Sequence, residues 1–302
     1  MRDFSYHAPT SLAEAQALHA QAPLHTRFLA GGTDLFLFLE HGGGDIGTVI
    51  DLKAIPGIAE IQQGADGGLR LGALTTMRAL ENHPDIATRF QALAAAAAVV
   101  GGPAIRNRAT LGGNLCNASP AADTSVPLLA LAAQVVVQSP AGERTMALAE
   151  LWAGPRKNTL AAGEILREIV LPAPGGRWGC DFQRLTRSAM DIALVNAAAV
   201  VKLDDGGAIA AAACALGAVG PTVLPVPGLD EALRGAPCDE KTWQTVAELA
   251  QAAARPIDDQ RASADYRRQM AGVLARRAAK NAAARAENNA AAGAGGAAGT
   301  RP

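Results

Sequence analysis

Residues 105–123 read IRNRATLGGNLCNASPAAD, and the interpretation of the whole chain turns on them. They hold a glycine pair, Gly112-Gly113, with a hydroxyl just before it in Thr110 and an amide just after it in Asn114. Ser119, Pro120 and Asp123 follow. Glycine admits backbone dihedrals closed to other residues and lets N–H groups come close to a ligand. Thr110 and Ser119 can hydrogen-bond that ligand, and Asp123 can accept bonds from sugar hydroxyls. A second pair, Gly31-Gly32, lies upstream in FLAGGTDL, residues 28–35, again with a threonine beside it, Thr33. Two such turns are expected to form two walls of one phosphate-binding cleft. Residues 27–30 read as a strand entering the first turn. Residues 35–39, apolar all round, read as a helix buried behind it. Thr33 is placed to cap that helix, leaving its first amides for an anion. A plain tight turn at Gly31-Gly32 is the competing reading.

The chain has 302 residues, a length that suits two modest domains. Apolar residues make up 49% but aromatic ones only 4%, so the cores must be assembled from Ala, Val and Leu. A formal net charge of −1 speaks against a general nucleic-acid or anionic-membrane binder. No apolar run reaches the roughly 18 residues of a membrane span. The opening MRDFSYHAPTSLAEAQ lacks the apolar centre of a secretory signal, so the expected location is the cytoplasm.

Along the chain, Ser11-Leu12-Ala13-Glu14 reads as a capping box opening a helix with a Leu12, Ala15, Leu18 stripe. Residues 48–52 and 58–61 read as strands, with a turn at 65–68 leading into a further strand at 69–71. Gly42-Gly43-Gly44 reads as a flexible loop. An Ala-rich helix over 86–97 ends at Gly101-Gly102-Pro103. Residues 134–139 and 143–146 form a hairpin around Pro140-Ala141-Gly142. Pro172-Ala173-Pro174-Gly175-Gly176 is the clearest linker, and it divides a first domain, 1–172, from a second, 177–280. In the second, residues 195–203 and 208–216 bracket the turn Asp204-Asp205-Gly206-Gly207. Two helices follow, the later one with Tyr266, Met270, Val273 and Leu274 on its packed face and Arg267, Arg268 and Arg276 largely off it. From Asn281 to Pro302 the chain is nearly all Ala, Gly and Asn, and is expected to be disordered for want of apolar surface to bury.

The dinucleotide fingerprint GxGxxG and the GxxxxGK[ST] phosphate loop are both absent, as is a Gly-x-Ser-x-Gly nucleophile turn. Cys116, Cys180, Cys214 and Cys238 show no CxxC spacing, which argues against a zinc site or an iron–sulfur cluster held by this chain alone. Cys116 reads as a buried, inert thiol. His7, His19, His25, His41 and His83 fall outside the glycine motifs and read as surface or helix residues. What remains is a nucleotide site without a catalytic side chain of its own.

Together these motifs resemble the FAD-binding subunit of the molybdenum hydroxylases, the xanthine dehydrogenase and carbon monoxide dehydrogenase family. AGGTDL (30–35) resembles the family's first flavin loop, and IRNRATLGGNL with ASPAAD its second. FQRLTRSAMDIALVNAAAV from Phe182 and DDQRASADYRRQMAGVLARRA from Asp258 resemble its C-terminal domain. The resemblance implies an α+β protein: an N-terminal FAD-binding domain of the vanillyl-alcohol oxidase (PCMH) type and a smaller C-terminal α+β domain of the carbon monoxide dehydrogenase flavoprotein kind. It implies FAD contacts from Leu29, Ala30, Gly31, Gly32, Thr33, Asp34 and Leu35, and from Thr110, Gly112, Gly113 and Asn114. Ser119 and Asp123 would bond sugar hydroxyls, and Leu166 would pack near the rings. For Asp123, capping the helix that follows is the competing role. Arg184 falls near a lysine that approaches the flavin in that family; the alternative is a surface arginine on a strand. One branch, the 4-hydroxybenzoyl-CoA reductases, inserts a cysteine-rich loop near Cys116, whereas here Cys116 runs straight into Asn117-Ala118-Ser119-Pro120.

The implied function is an electron carrier. Substrate would be oxidised at molybdopterin in a separate large subunit. Electrons would pass through iron–sulfur clusters of a separate small subunit to this FAD, then to NAD or another acceptor, in a heterotrimer or its dimer. Two other readings stay open. A free-standing flavin-dependent oxidoreductase would need convergent acid–base groups in a substrate pocket. A non-catalytic scaffold of the same fold would lack flavin absorbance.

Overall fold

The computed structural model describes residues 3–42 and 45–296, with side chains through Asn289. Gly43 and Gly44 of the expected flexible loop, and positions 297–302 of the expected tail, lie outside the described residues. By packing, the chain forms two compact units, each assembled from three segments. The first comprises Met1–Leu80, Val100–Ser119 and Ala132–Pro172; the second comprises Glu81–Val99, Pro120–Leu131 and Ala173–Pro302. The packing division is therefore not a single cut at the Pro172–Gly176 linker.

In the first unit, β1 (Ser5–His7) and β2 (Thr26–Leu29) both pair in parallel with β3 (Thr48–Asp51). Parallel neighbours need crossovers, and the helices Leu12–Gln21 and Leu35–Glu40 lie in the two connections. The first of these starts where expected, with Ser11 Oγ accepting from the Glu14 amide at 3.2 Å. The second departs from expectation. Its N-cap is Asp34, not Thr33, and no side chain caps it. It is not buried either: Phe36, Leu37 and Phe38 are 40%, 56% and 48% exposed, and of its leucines Leu39 alone is buried. Six residues make under two turns, so an apolar sequence cannot place every side chain against the one surface available.

A second, antiparallel sheet completes this unit. β4 (Ile61–Gln63), β5 (Leu69–Gly72), β6 (Gln134–Ser139) and β7 (Gly142–Ala147) precede a small pair, β8 (Trp152–Gly154) with β9 (Lys157–Asn158), and then β10 (Ile165–Leu171). The order is β4-β5-β10-β6-β7. Both expected hairpins are present. The strand expected over 58–61 begins only at Ile61, because Gly57 adopts φ +77° and closes a turn onto Glu60. The expected helix over 86–97 is two, Pro84–Arg89 and Gln91–Ala98, broken at the buried Phe90 (φ −120°, ψ 47°).

The second unit is a four-stranded antiparallel sheet in the order β11 (Arg177–Leu185), β12 (Val195–Leu203), β13 (Ile209–Gly217), β14 (Leu224–Pro225). Helices Gln91–Ala98 and Ser125–Ala130 pack on it, the first against β11 and the second against β12 and β13. So does the helix Ala264–Gly296, which lies along β11 and β12. Its inner face is alanine: Ala271, Ala275, Ala278, Ala279, Ala282, Ala283 and Ala286 are all buried.

This helix overturns two expectations. Residues 281–296 are helical rather than disordered. Alanine has the highest helix propensity, and a small inner face lets the helix lie almost against the sheet backbone. A Cβ at Gly179 of β11 would come within 2.2 Å of the Ala282 carbonyl oxygen. At that separation methyl groups fill the interface and large side chains are not needed. Polar anchors add to it: Asp181 accepts from Asn281 Nδ2 at 3.1 Å and pairs with Arg285 at 2.8 Å, and Asn289 donates to the Trp178 carbonyl at 3.0 Å. At the other end, Leu274 is buried and Met270 packs on the core as expected, but Arg267 is buried while Tyr266 is exposed, the reverse of what the stripe gave at those two positions. The Arg267 guanidinium donates to the carbonyls of Leu194 and Ala218 and pairs with Asp259, so it closes three loops that an apolar side chain would leave unsatisfied.

Truncation after Lys280 is expected to destabilise the second unit by at least about 2 kcal/mol, because it strips a buried alanine face and leaves Asp181 without its cation. Urea unfolding of the truncated and full chains checks this; equal midpoints would mean that the segment contributes nothing.

Candidate functional site

Within the first unit the two glycine motifs touch, and the first glycine of each pair is there for packing. A Cβ at Gly31 would stand 2.0 Å from the Arg108 carbonyl oxygen. One at Gly112 would stand 2.7 Å from the Cβ and 2.8 Å from the carbonyl oxygen of Ala73. Asp34 accepts from Asn117 Nδ2 at 3.2 Å, a further tie between the motifs. Gly32, at φ +81°, is held in the left-handed region that a side chain disfavours.

The second motif is a short helix, Leu111–Cys116, and its leading amides are all engaged. Leu111 N–H donates to the Thr75 carbonyl at 2.9 Å and Gly112 N–H to the Ala73 carbonyl at 2.7 Å. Gly113 N–H donates to Thr110 Oγ at 3.2 Å, and Asn114 N–H to the Thr110 carbonyl at 3.0 Å. Thr110 is thus an N-cap. The first motif is the opposite. The backbone N–H groups of Gly31, Gly32, Thr33 and Asp34 have no acceptor among the described residues. Amides without an acceptor among the described residues are therefore found in the first loop, whereas those leading the second are engaged.

Directly before these amides, Ala30 lines a cavity of about 460 Å³. Gly112, Gly113 and Leu166 line it too, so four of the expected residues meet on one wall system. Leu166 sits on β10 where its register against β6 shifts by a bulge, a device that re-aims a side chain. Leu29 is buried at the end of β2; Asn114 and Ser119 are half-buried with polar partners.

Phe28, at the head of the first motif, also lines the cavity, as do His19 and Asn158, which lie outside both motifs. His19 is buried and stacks on Phe28 with ring centroids 5.0 Å apart. Burial, and then the charge of Arg27, lowers its pKa, which keeps the ring neutral. The signal for it lay in helical spacing, since His19 falls four residues after the buried Ala15. Asn158 Nδ2 donates to the Cys116 carbonyl at 2.8 Å and so ties β9 to the second motif. Cys116 also faces the cavity, and burial pushes its thiol up to about 12, so it stays protonated and unreactive at neutral pH. Among the described residues, no cluster of His, Cys, Asp or Glu is arranged to hold a metal ion.

Asp123 and Arg184 belong to the second unit and meet there. Asp123 does not cap the helix Ser125–Ala130; Thr124 occupies that position. Its Oδ1 accepts from Asn196 Nδ2 at 2.7 Å and lies 3.1 Å from Arg184 Nε, an ion-pair contact that leaves Nε–H unsatisfied as a hydrogen bond. Burial raises the Asp123 pKa to about 6 against the opposing pull of Arg184 and Asn196. The two terminal nitrogens of Arg184 donate to the carbonyls of Ala189 and Asp191. Arg184 is accordingly an anchored residue, not a surface one.

Comparison with known proteins agrees over almost the whole chain. Residues 2–174 match the family described as the FAD binding domain in molybdopterin dehydrogenase, and residues 181–282 match the CO dehydrogenase flavoprotein C-terminal domain. The xanthine dehydrogenase FAD-binding subunit of Escherichia coli O157:H7 is 33% identical over 270 residues, 88% of this chain and 92% of that one. The carbon monoxide dehydrogenase medium chain of Hydrogenophaga pseudoflava is 32% identical over 275 residues, 91% and 95% of the two chains. The crystal structure of quinoline 2-oxidoreductase from Pseudomonas putida 86 superposes with a TM-score of 0.87 at 34% identity, covering 94% of this chain and 98% of its counterpart. The residues present fit that cofactor: four amides without an acceptor among the described residues, next to an open cavity, suit a pyrophosphate carrying a nucleoside.

Gly31→Ala and Gly112→Ala are each expected to cost the cofactor-free chain about 1–3 kcal/mol, since the added methyl meets backbone that cannot move aside. Chemical denaturation without FAD reads this directly. Unaltered stability together with lost flavin would instead assign those glycines to the ligand.

Proposed function

Because the chain belongs to the FAD-binding medium subunits of the molybdenum hydroxylase family, we propose that it passes electrons from iron–sulfur clusters of a partner subunit to NAD or another acceptor. It is the flavoprotein subunit of a dehydrogenase. The observation that carries the cofactor reading is the run of free amides from Gly31 to Asp34 beside the cavity at Ala30. Bound FAD supplies the redox chemistry, and this chain supplies binding and orientation.

In this reading the amides of Gly31 to Asp34 hold the pyrophosphate, with Leu29, Ala30 and Leu35 shaping the loop. Thr110, Gly112, Gly113 and Asn114 form the second wall of the cofactor cleft, with Gly112 and Gly113 on the cavity. Leu166 contributes apolar contact, Ser119 and Asp123 accept from or donate to sugar hydroxyls, and Arg184 places positive charge near the cofactor. Residues 1–172 serve as the FAD-binding domain and 177–280 as the C-terminal domain of the family. The partners are a large molybdopterin subunit and a small iron–sulfur subunit, in a heterotrimer or its dimer. A cytoplasmic setting accords with four cysteines that are all free. Among the described residues no helix is long and apolar enough to cross a membrane.

Purified alone, the chain is expected to carry flavin absorbance, and with co-expressed partners to support substrate-to-acceptor electron transfer that the isolated chain does not. Flavin with full turnover in the absence of partners would favour a free-standing oxidoreductase. Gly32→Val is expected to abolish flavin content. The position requires φ +81°, and its Cβ would meet the Phe36 ring at 2.7 Å. A normal flavin-to-protein ratio in that variant would remove the first motif from the site.

A further inference from the structure

Three strands of the second unit set one row of residues side by side. Arg184 on β11 pairs directly with Asn196 on β12, and Asn196 pairs with Gly217 on β13. Residues paired in this way project from the same face. Asn196 is fully buried on that face, and Gly217 is what makes room for it, because a Cβ there would stand 2.1 Å from Asn196 Oδ1. The amide has a fixed sense. Its Nδ2 donates to Asp123 at 2.7 Å, while its Oδ1 is buried with no partner. Turning the amide over would aim a carbonyl oxygen at a carboxylate, so the orphaned oxygen is the cost of the bond on the other side.

Asp123 therefore has one oxygen committed and one uncommitted. Oδ1 takes both Asn196 and the Arg184 contact, whereas Oδ2 has no partner among the described residues and keeps some access to solvent. Arg184 cannot swing across to Oδ2 without giving up the Ala189 and Asp191 carbonyls.

We propose that Asn196 is a positioning residue of the cofactor site: its amide holds Oδ1 of Asp123 beside Arg184 and so presents Oδ2 as the acceptor for a flavin sugar hydroxyl. The inference rests on the reading of Asp123 as a sugar-hydroxyl acceptor. Arg184 is the charged group acting on Asp123, and Asn196 adds a neutral donor that also favours the carboxylate. Without that donor the carboxylate is both less fixed and more easily protonated.

The test is FAD titration into the deflavinated full-length chain across pH 5 to 8.5. The wild type is expected to lose affinity as pH falls through about 6, where Asp123 takes up its proton. Asn196→Ala is expected to move that midpoint upward by about one pH unit and to weaken binding at neutral pH by roughly three- to tenfold, with Asn196→Ser recovering part of both. Gly217→Ala, which displaces the amide from its far side, is expected to shift the midpoint the same way and serves as the second arm should Asn196→Ala not fold. Asp123→Asn is expected to bind weakly at every pH. An unmoved midpoint in folded Asn196→Ala or Gly217→Ala, with Asp123→Asn flat, overturns the positioning role alone. A wild-type profile in Asp123→Asn overturns the acceptor reading and this inference with it.

Discussion

At Gly31 the backbone of the first motif passes so close to the Arg108 carbonyl that a single methyl group would sit 2.0 Å from its oxygen. The candidate site depends on that approach. It seats the first loop on a segment that is itself fixed by antiparallel bonds from Leu111 and Gly112 to Thr75 and Ala73. With its back against a rigid support, the first loop can leave four successive amides without an acceptor among the described residues, an arrangement that a free loop would relieve by collapsing onto its own carbonyls. A matched pair of motifs differs in one respect: the leading amides of the second are engaged, and those of the first have no acceptor among the described residues.

The second unit uses the same device at another scale. Gly179 allows the long helix to rest on β11 through alanine, and Gly217 opens the space that Asn196 fills. Poverty in aromatic residues is then a consistent choice, since short side chains suit surfaces that meet at short distance. Charged residues buried in this packing each have at least one tie: Arg267 to loop carbonyls, Asp181 to Asn281 and Arg285, Asp123 to Asn196 and Arg184. Such networks fix side-chain direction as well as adding stability. Direction is what a residue needs if one of its oxygens is to wait for a ligand.

At the buried titratable groups of each unit, burial weighs more than pairing. Asp123 has an arginine in contact and still holds its proton up to about pH 6. Cys116 faces the cavity yet remains a thiol, and His19 remains a neutral ring, because each is removed from water without a compensating charge close by. Neither Cys116 nor His19 is activated by its surroundings, in keeping with a protein whose chemistry is carried by a cofactor.

The sequence alone determined the family, the two-part α+β organisation, the cofactor and four residues on the cavity wall, because glycine pairs, hydroxyls and turns act locally and keep their spacing. Ala30, Gly112, Gly113 and Leu166 were all legible in this way. The tertiary structure decided what each of those residues does. Which amides are free depends on whether a carbonyl from a distant segment arrives to meet them, and no local pattern reports that Thr75 and Ala73 do so for one loop only. The same reason hid Asn196, an unremarked polar residue in an apolar strand, whose role exists only because Gly217 lies opposite and Asp123 comes from a segment 73 residues away. It also hid the order of residues 281–296: composition showed little apolar surface, but only the bare backbone of β11 at Gly179 could show that little was required.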